Sequence, residues 1–218
     1  MPVYFFADHA LNAEYVSIEG TEPERAIFAA IAAGPSRDDL RSFVPEETAL
    51  EGVGETQEKL KLTLSEEFWD LPVGERYAAA AQVTFTMAVL EEGKEIFLLD
   101  EVVPGPIVDG NGEELPQPLS REDFADVRPW VEVQQPAAGT ILSEAPFPVV
   151  AEVRGRAVAQ LVGVSGGGFN IRLKKGSAVL RPPTRIDGGD GPIETFVVIT
   201  ATEDGESYVT RIPVTLQP

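Results

Sequence analysis

Residues 59–99 read KLKLTLSEEFWDLPVGERYAAAAQVTFTMAVLEEGKEIFLL, and the change of period along them decides the fold class. From Lys59 to Leu64 apolar and polar side chains alternate, Leu60, Leu62 and Leu64 against Lys59, Lys61 and Thr63, as a half-buried strand requires. From Glu75 to Glu92 the apolar spacing changes to three and four: Tyr77, Ala80, Val83, Thr84, Met87 and Leu90 share one broad helical face. The alanines at 78–81 favour helix and permit close approach to a sheet, while Pro72-Val73-Gly74 and Gly93 bound the run. Ile96 to Leu99 is apolar without alternation, which predicts a central strand covered on both sides.

Upstream, the apolar and aromatic run Val3 to Ala7 predicts a strand in the sheet centre, and Glu14 to Ile18 a second strand. Thr21-Glu22-Pro23-Glu24 has the form of a capping box with threonine as N-cap. Ile27, Ala30 and Ile31 then mark a helix that Gly34-Pro35 stops, and Ala49 to Val53 predicts a short strand. Downstream, residues 104–128 hold four prolines, the turn Asp109-Gly110-Asn111-Gly112 and a short capped helix at Ser120-Arg121-Glu122-Asp123-Phe124. They read as a closing hairpin and a seam.

From Trp130 onward the pattern is all β. Val131–Val133, Pro148–Val153, Val158–Val164, Phe169–Leu173, Glu194–Ala201 and Tyr208–Leu216 are short β-type runs. Turns separate them at Ala138-Gly139, Arg154-Gly155-Arg156, Gly166-Gly167-Gly168, Asp187-Gly188-Gly189-Asp190-Gly191 and Asp204-Gly205. This spacing predicts a β-sandwich. The charge divides at the same place: residues 1–128 hold 27 acidic and 9 basic side chains, residues 129–218 hold 9 and 8. The expected organisation is therefore an α/β (α+β) domain at 1–128, with two helices on a mixed sheet, followed by an all-β sandwich at 129–218.

A net charge of −19 argues against nucleic acid and anionic membranes as partners, since both repel such a chain. The absence of cysteine excludes disulfides, thiolate metal sites and thiol nucleophiles. No stretch approaches the ~18 apolar residues of a spanning helix, so membrane association is expected only through a leader or lipid anchor outside these residues.

Several groups are candidates for chemistry, and each has a plainer reading beside it. His9 follows Asp8, a pair able to poise a base, but it also suits a loop. Glu46-Glu47, Glu66-Glu67 and Glu91-Glu92 are adjacent carboxylates of the kind hydrolases use across a cleft, and equally are solvated neighbours. Asp109-Gly110-Asn111-Gly112-Glu113 and Asp187-Gly188-Gly189-Asp190 alternate oxygen ligands with glycine as calcium sites do, and as turns do. Gly166-Gly167-Gly168 enters a strand, without the lysine and helix N-terminus of a phosphate loop. Arg172, Lys174 and Lys175 form a small basic spot. Trp69 and Trp130 are the aromatics that exposure would make into recognition groups; Phe68 reads as core, and Trp130 as filling the joint between domains. No catalytic, cofactor-binding or metal-binding residue is assigned, and no cofactor is expected.

Five strings taken in order resemble the GerMN domain family over about residues 2–127. They are Ala30-Ile31-Ala32-Ala33-Gly34-Pro35, Val44-Pro45-Glu46-Glu47-Thr48-Ala49-Leu50, Leu62-Thr63-Leu64-Ser65-Glu66-Glu67-Phe68, Ala81-Gln82-Val83-Thr84-Phe85-Thr86 and Pro118-Leu119-Ser120-Arg121-Glu122-Asp123-Phe124. The second half is similar to the immunoglobulin-like Gmad2 domain in Val133-Gln134-Gln135-Pro136-Ala137-Ala138-Gly139-Thr140-Ile141, Pro148-Val149-Val150-Ala151-Glu152-Val153-Arg154-Gly155 and Ile212-Pro213-Val214-Thr215-Leu216. Between Val158 and Leu180 it departs from that pattern. The resemblance implies a non-enzymatic, extracytoplasmic scaffold or protein-interaction module of the bacterial cell envelope, of the sporulation and germination type, often a lipoprotein. An envelope protein partner or self-association is expected, with a free sheet edge or apolar patch to receive it. The alternatives are a binding module for cell-wall glycan or peptide, and a hydrolase.

Overall fold

In the computed structural model the long helical run folds as α3 (Val73–Leu90), and every residue from Tyr77 to Met87 along it is buried. A helix buried all round is surrounded rather than laid on one layer, so the broad face read from the sequence is only part of its contact surface. The structure describes residues 1–218 except 19, 92, 102–104, 143–146, 163–170, 173–176, 181–191, 204 and 218; of 171–172 and 177–180 it describes the backbone alone. The chain divides into two compact units, Met1–Arg128 and Pro129–Pro218.

In the first unit β1 (Pro2–Ala7) and β2 (Ala10–Tyr15) form an antiparallel hairpin across the two-residue turn Asp8-His9. The second strand thus lies earlier than Glu14–Ile18, because the turn leaves no room for a longer connection. Helix α1 (Pro23–Ala33) follows, with Glu22 as its N-cap and no side-chain capping bond, so the expected Thr21 capping box does not form. Proline in the first turn supplies the preset φ instead. Gly34, at φ 81, ends the helix, in a conformation that favours glycine.

β3 (Leu50–Glu55) pairs antiparallel with β4 (Lys59–Leu64), and β4 pairs parallel with β5 (Glu95–Leu99), giving a three-stranded mixed sheet in the order β3-β4-β5. The alternation of β4 appears as read, with Leu60, Leu62 and Leu64 fully buried. β5 is an edge strand, not a central one, and Ile96 and Leu98 are buried while Phe97 and Leu99 are half-buried. Helix α2 (Glu66–Trp69) is a single turn before α3. A 3-10 helix at Arg121–Val127 carries a capping box between Ser120 and Asp123, and Phe124 inserts beneath it into the core.

The first strand also differs from its reading. Among the described residues β1 has only β2 as a strand partner along its length, and its other edge is closed by side chains of α3. Thr86 Oγ1 accepts from Tyr4 N at 3.0 Å, and Gln82 Nε2 donates to Tyr4 O at 3.2 Å. The Gln82 carboxamide oxygen accepts from Phe43 N at 2.5 Å, so one amide joins strand and loop as a third strand would. Phe6 completes the edge through reciprocal backbone bonds with Arg41, both 2.9 Å. The outer edge of β5 is treated likewise: Gln117 Oε1 accepts from Leu98 N at 3.2 Å and its Nε2 donates to Leu98 O at 3.4 Å, beside Leu119 N on Ile96 O at 2.7 Å.

The second unit is built of strands among its described residues. β6 (Val131–Gln135), β8 (Phe147–Val153) and β11 (Ser177–Leu180) form one sheet in the order β11-β8-β6. β7 (Thr140–Leu142), β9 (Arg156–Val162), β10 (Ile171–Arg172), β12 (Ile193–Glu203) and β13 (Glu206–Leu216) form the other in the order β10-β9-β12-β13-β7. Strict alternation along β12 and β13 buries Thr195, Val197, Ile199 and Ala201 with Tyr208, Thr210, Ile212, Val214 and Leu216. At the β8–β9 turn Gly155 has φ 74, and a Cβ there would stand 2.6 Å from Thr202 O. Trp130 stacks on Tyr208 at 4.3 Å between ring centroids, with the Arg154 guanidinium 4.7 Å from its ring.

Gln82 is fully buried, so losing its amide strands the Tyr4 carbonyl and the Phe43 N–H. Each stranded group costs about 1–3 kcal/mol; Gln82→Leu is therefore expected to lower urea-unfolding stability by about 2–5 kcal/mol. Gln117→Leu, at an exposed position, is expected to lower it by less than about 1 kcal/mol.

Candidate interaction surfaces

Among the described residues, those singled out for chemistry are not brought together. Asp8 and His9 are exposed at the tip of the β1–β2 hairpin, and Asp8 has φ 53. Aspartate tolerates that conformation better than most residues, so turn geometry accounts for the pair. Glu46 and Glu47 are both exposed. Glu67 accepts from Ser65 Oγ at 2.5 Å, and this bond, with one from its own backbone, holds its carboxyl below the ordinary range. A glycosidase acid needs the opposite displacement. Glu91 and Glu55 both pair with Lys94, whose amine they push up. Glu92, Asp187–Asp190, Gly166–Gly168, Lys174 and Lys175 lie outside the described residues.

The Asp109 loop is a knot of hydrogen bonds. Asp109 Oδ1 accepts from Asn111 N at 2.9 Å and from Glu113 N at 2.8 Å, while Oδ2 accepts from Asn111 Nδ2 at 3.1 Å. The Glu113 backbone bond leads in holding this carboxyl low. Its lone pairs face N–H donors, which is turn chemistry. Among the described residues no group of three or more His, Cys, Asp or Glu is placed to hold a metal ion.

Both halves of the aromatic question resolve into packing. Trp69 is 6% exposed and donates from Nε1 to Leu64 O at 3.3 Å; Phe68 is fully buried against it. The Arg76 guanidinium fixes the surrounding chain by donating to the carbonyls of Trp69, Leu71 (2.9 Å) and Pro106 (3.0 Å). Tyr77 donates to Asp126 Oδ1 from a site that burial and this carboxylate push well above the ordinary phenol range. An open cleft of about 500 Å³ is lined by Thr84, Ile96, Lys94, Ser120, Arg121 and Glu122 among others. Ser120 Oγ there donates to Asp123 Oδ2 at 2.8 Å as part of the capping box of the 3-10 helix.

The surface signal lies in the second unit. Among the described residues five large hydrophobic side chains are exposed, and four of them are Ile141 (61%), Phe196 (46%), Val158 (37%) and Val162 (37%). Strand pairing sets these four on one face of the five-stranded sheet. Val162 stands opposite Phe196, which stands opposite Pro213; Gln160 opposite Val198 and Arg211; Val158 opposite Thr200 and Val209; and Ile141 opposite Thr215 at the rim. Among the described side chains, Arg156 and Arg211 are the exposed cations of this face and Glu194 its exposed anion. The sequence holds the pattern but not its side, because β12 is apolar at both parities: Val197 and Ile199 point inward while Phe196 and Val198 point out. Among the described residues no helix is long and apolar enough to cross a membrane.

The first unit is a mixed α+β fold. Among solved structures the chain is similar to the tandem GerMN domains of the sporulation protein GerM from Bacillus subtilis, at 15% identity and a TM-score of 0.44, covering 56% of this chain and 44% of that one. It is also similar to an engineered protein at 14% identity and a TM-score of 0.33, covering 64% of this chain and 36% of the other. The chain thus spans less than half the length of either structure. No family model and no curated protein matches it.

Two outcomes follow. Because Tyr77 has its folded-state pKa above 10.0, the stability from its protonated phenol is complete below pH 10 and is lost as pH rises beyond it. Wild type should therefore lose stability above pH 10 more steeply than Tyr77→Phe in denaturant titrations. Adding millimolar calcium should leave the melting temperature unchanged, while Asp109→Ala should lower it by about 2–4 °C; a calcium-dependent rise that Asp109→Ala removes would restore the metal reading.

Proposed function

We propose that the chain is a non-enzymatic, extracytoplasmic protein-interaction module of the bacterial cell envelope. Its first unit is a GerMN-like support, and its second is an immunoglobulin-like sandwich of the Gmad2 kind that presents the binding face. The observation carrying this reading is the gathering of Ile141, Phe196, Val158 and Val162 on one sheet face. Single exposed hydrophobics are ordinary, whereas a contiguous patch marks a surface that another protein covers. The string resemblance to GerMN and Gmad2 supports the envelope setting, a lipid or leader anchor and a sporulation or germination context as parts of the same proposal.

The charge distribution favours this division of labour. The first unit carries the excess of carboxylates and with it solubility, while the second is nearly balanced, so it lets a partner approach without long-range repulsion. Phe196 is the anchor in this arrangement: an aromatic at the centre of a patch supplies a large share of contact area at small entropic cost.

Light scattering of the purified chain over a concentration series, alone and with detergent-solubilised envelope extract, tests the reading. A discrete heavier complex with one extracted protein is expected, with affinity reduced at least about tenfold, or 1.4 kcal/mol, by Phe196→Asp and unaltered by Val73→Asp. A persistent monomer in both conditions would contradict it and direct attention to isolated wall glycan.

A further inference from the structure

The first unit treats its sheet edges unequally. The outer edges of β1 and β5 are closed by Gln82, Thr86, Arg41, Gln117 and Leu119. At β3, Arg25 closes one end, donating from Nη1 to Leu50 O at 2.6 Å and from Nη2 to Glu51 O at 3.4 Å. Beyond that point the edge is open. In an antiparallel ladder alternate residues turn their N–H and C=O toward the partner strand. Thr56 N donates to Lys59 O at 2.9 Å, so Gly54 with Lys61 and Gly52 with Thr63 are the bonded pairs. Val53 and Glu55 consequently point their backbone groups away from β4, and among the described residues none meets them.

Chemistry beside the edge selects the occupant. Glu51 and Glu58 are exposed along it, as is Glu55, whose carboxylate is paired with Lys94, in a unit with 27 acidic and 9 basic residues. A second copy of β3 paired antiparallel about Val53 would set Glu51 against Glu55, and like charges directly opposed destabilise a strand pair. A strand bearing lysine or arginine at alternate positions would meet complementary charge instead. Gly52 and Gly54 leave the sheet low beside the edge, since even a Cβ at Gly52 would lie 3.1 Å from Thr63 Oγ1. An added strand can therefore spread its outward side chains across Lys61 and Thr63 without a ridge between them.

We infer that the outer edge of β3 from Val53 to Glu55 accepts an extended, basic segment of a protein partner as a fourth strand of the three-stranded sheet. This rests on the protein-interaction reading and adds to it a second contact of different physics. Backbone bonds supply affinity and the carboxylates supply direction.

The test uses the full chain, isotope-labelled, with three synthetic peptides: alternating lysine and threonine, alternating glutamate and threonine, and the lysine peptide N-methylated at alternate amides. The lysine peptide is expected to slow exchange of the Val53 and Glu55 amides at least about tenfold, with binding that weakens as salt is raised. The glutamate peptide and the N-methylated peptide are expected to give no such protection. Val53→Pro removes a donor that an edge strand can spare and should weaken the lysine peptide at least about tenfold, while Val53→Thr retains it. Should Val53→Pro not fold, the N-methylated peptide decides the same point. Absence of protection by the lysine peptide, or equal protection by its N-methylated form, overturns the inference. The Phe196→Asp variant separates the two claims: it should bind the lysine peptide as wild type does, so a silent β3 edge with an intact Phe196-dependent complex overturns this inference alone.

Discussion

The fully buried amide of Gln82 is the interaction on which the first unit depends. Surrounding a helix on all sides removes water from everything around it, so each backbone group facing α3 needs a partner from within the protein. Gln82 and Thr86 supply those partners to Tyr4, and Gln82 also reaches Phe43. The helix therefore serves at once as core and as substitute strand. With this edge closed, Phe5, Phe28, Phe85 and Phe124 can be fully buried around it, each such burial contributing about 1.5–3 kcal/mol. Arg121 extends the arrangement by donating to Phe85 O at 3.2 Å with its guanidinium over the Phe85 ring.

Closing edges with side-chain amides has a further consequence for association. Unpaired strand edges invite other chains, and two of the edges here are removed from that role by Gln82 and Gln117. The two surfaces proposed for partners differ in kind: a short acidic edge at Val53–Glu55, and an apolar sheet face in the second unit that relies on side chains rather than backbone. The two differ in their expected response to salt, since charge pairing is screened and apolar burial is not.

The sequence showed the periods clearly and the neighbours poorly. Leu60, Leu62 and Leu64 declared a half-buried strand, Gly34 a helix end and Ser120 with Asp123 a helix start, because each depends on local geometry. Val3 to Ala7 and Ile96 to Leu99 were misplaced as sheet-centre strands for one reason. An apolar strand reads the same whether another strand or a helix covers it, and only the mid-helix polar pair Gln82 and Thr86 signalled that side chains would do the covering. Thr21 lost its capping role because Pro23 sets the first turn without it. The candidate chemistry was legible as residue types alone; that Asp109 is filled by N–H donors, and that Phe196 rather than Val197 faces outward, are facts of turn geometry and of strand parity.

The outer face of the five-stranded sheet is the surface proposed to meet another protein. A photo-crosslinking amino acid placed in turn at Ile141, Val158 and Phe196, and at Val73 as an exposed apolar control, tests it in intact cells of the source organism. One and the same protein adduct is expected from the three sheet positions and none from position 73. Adducts absent from the sheet face, or formed equally from position 73, would contradict it.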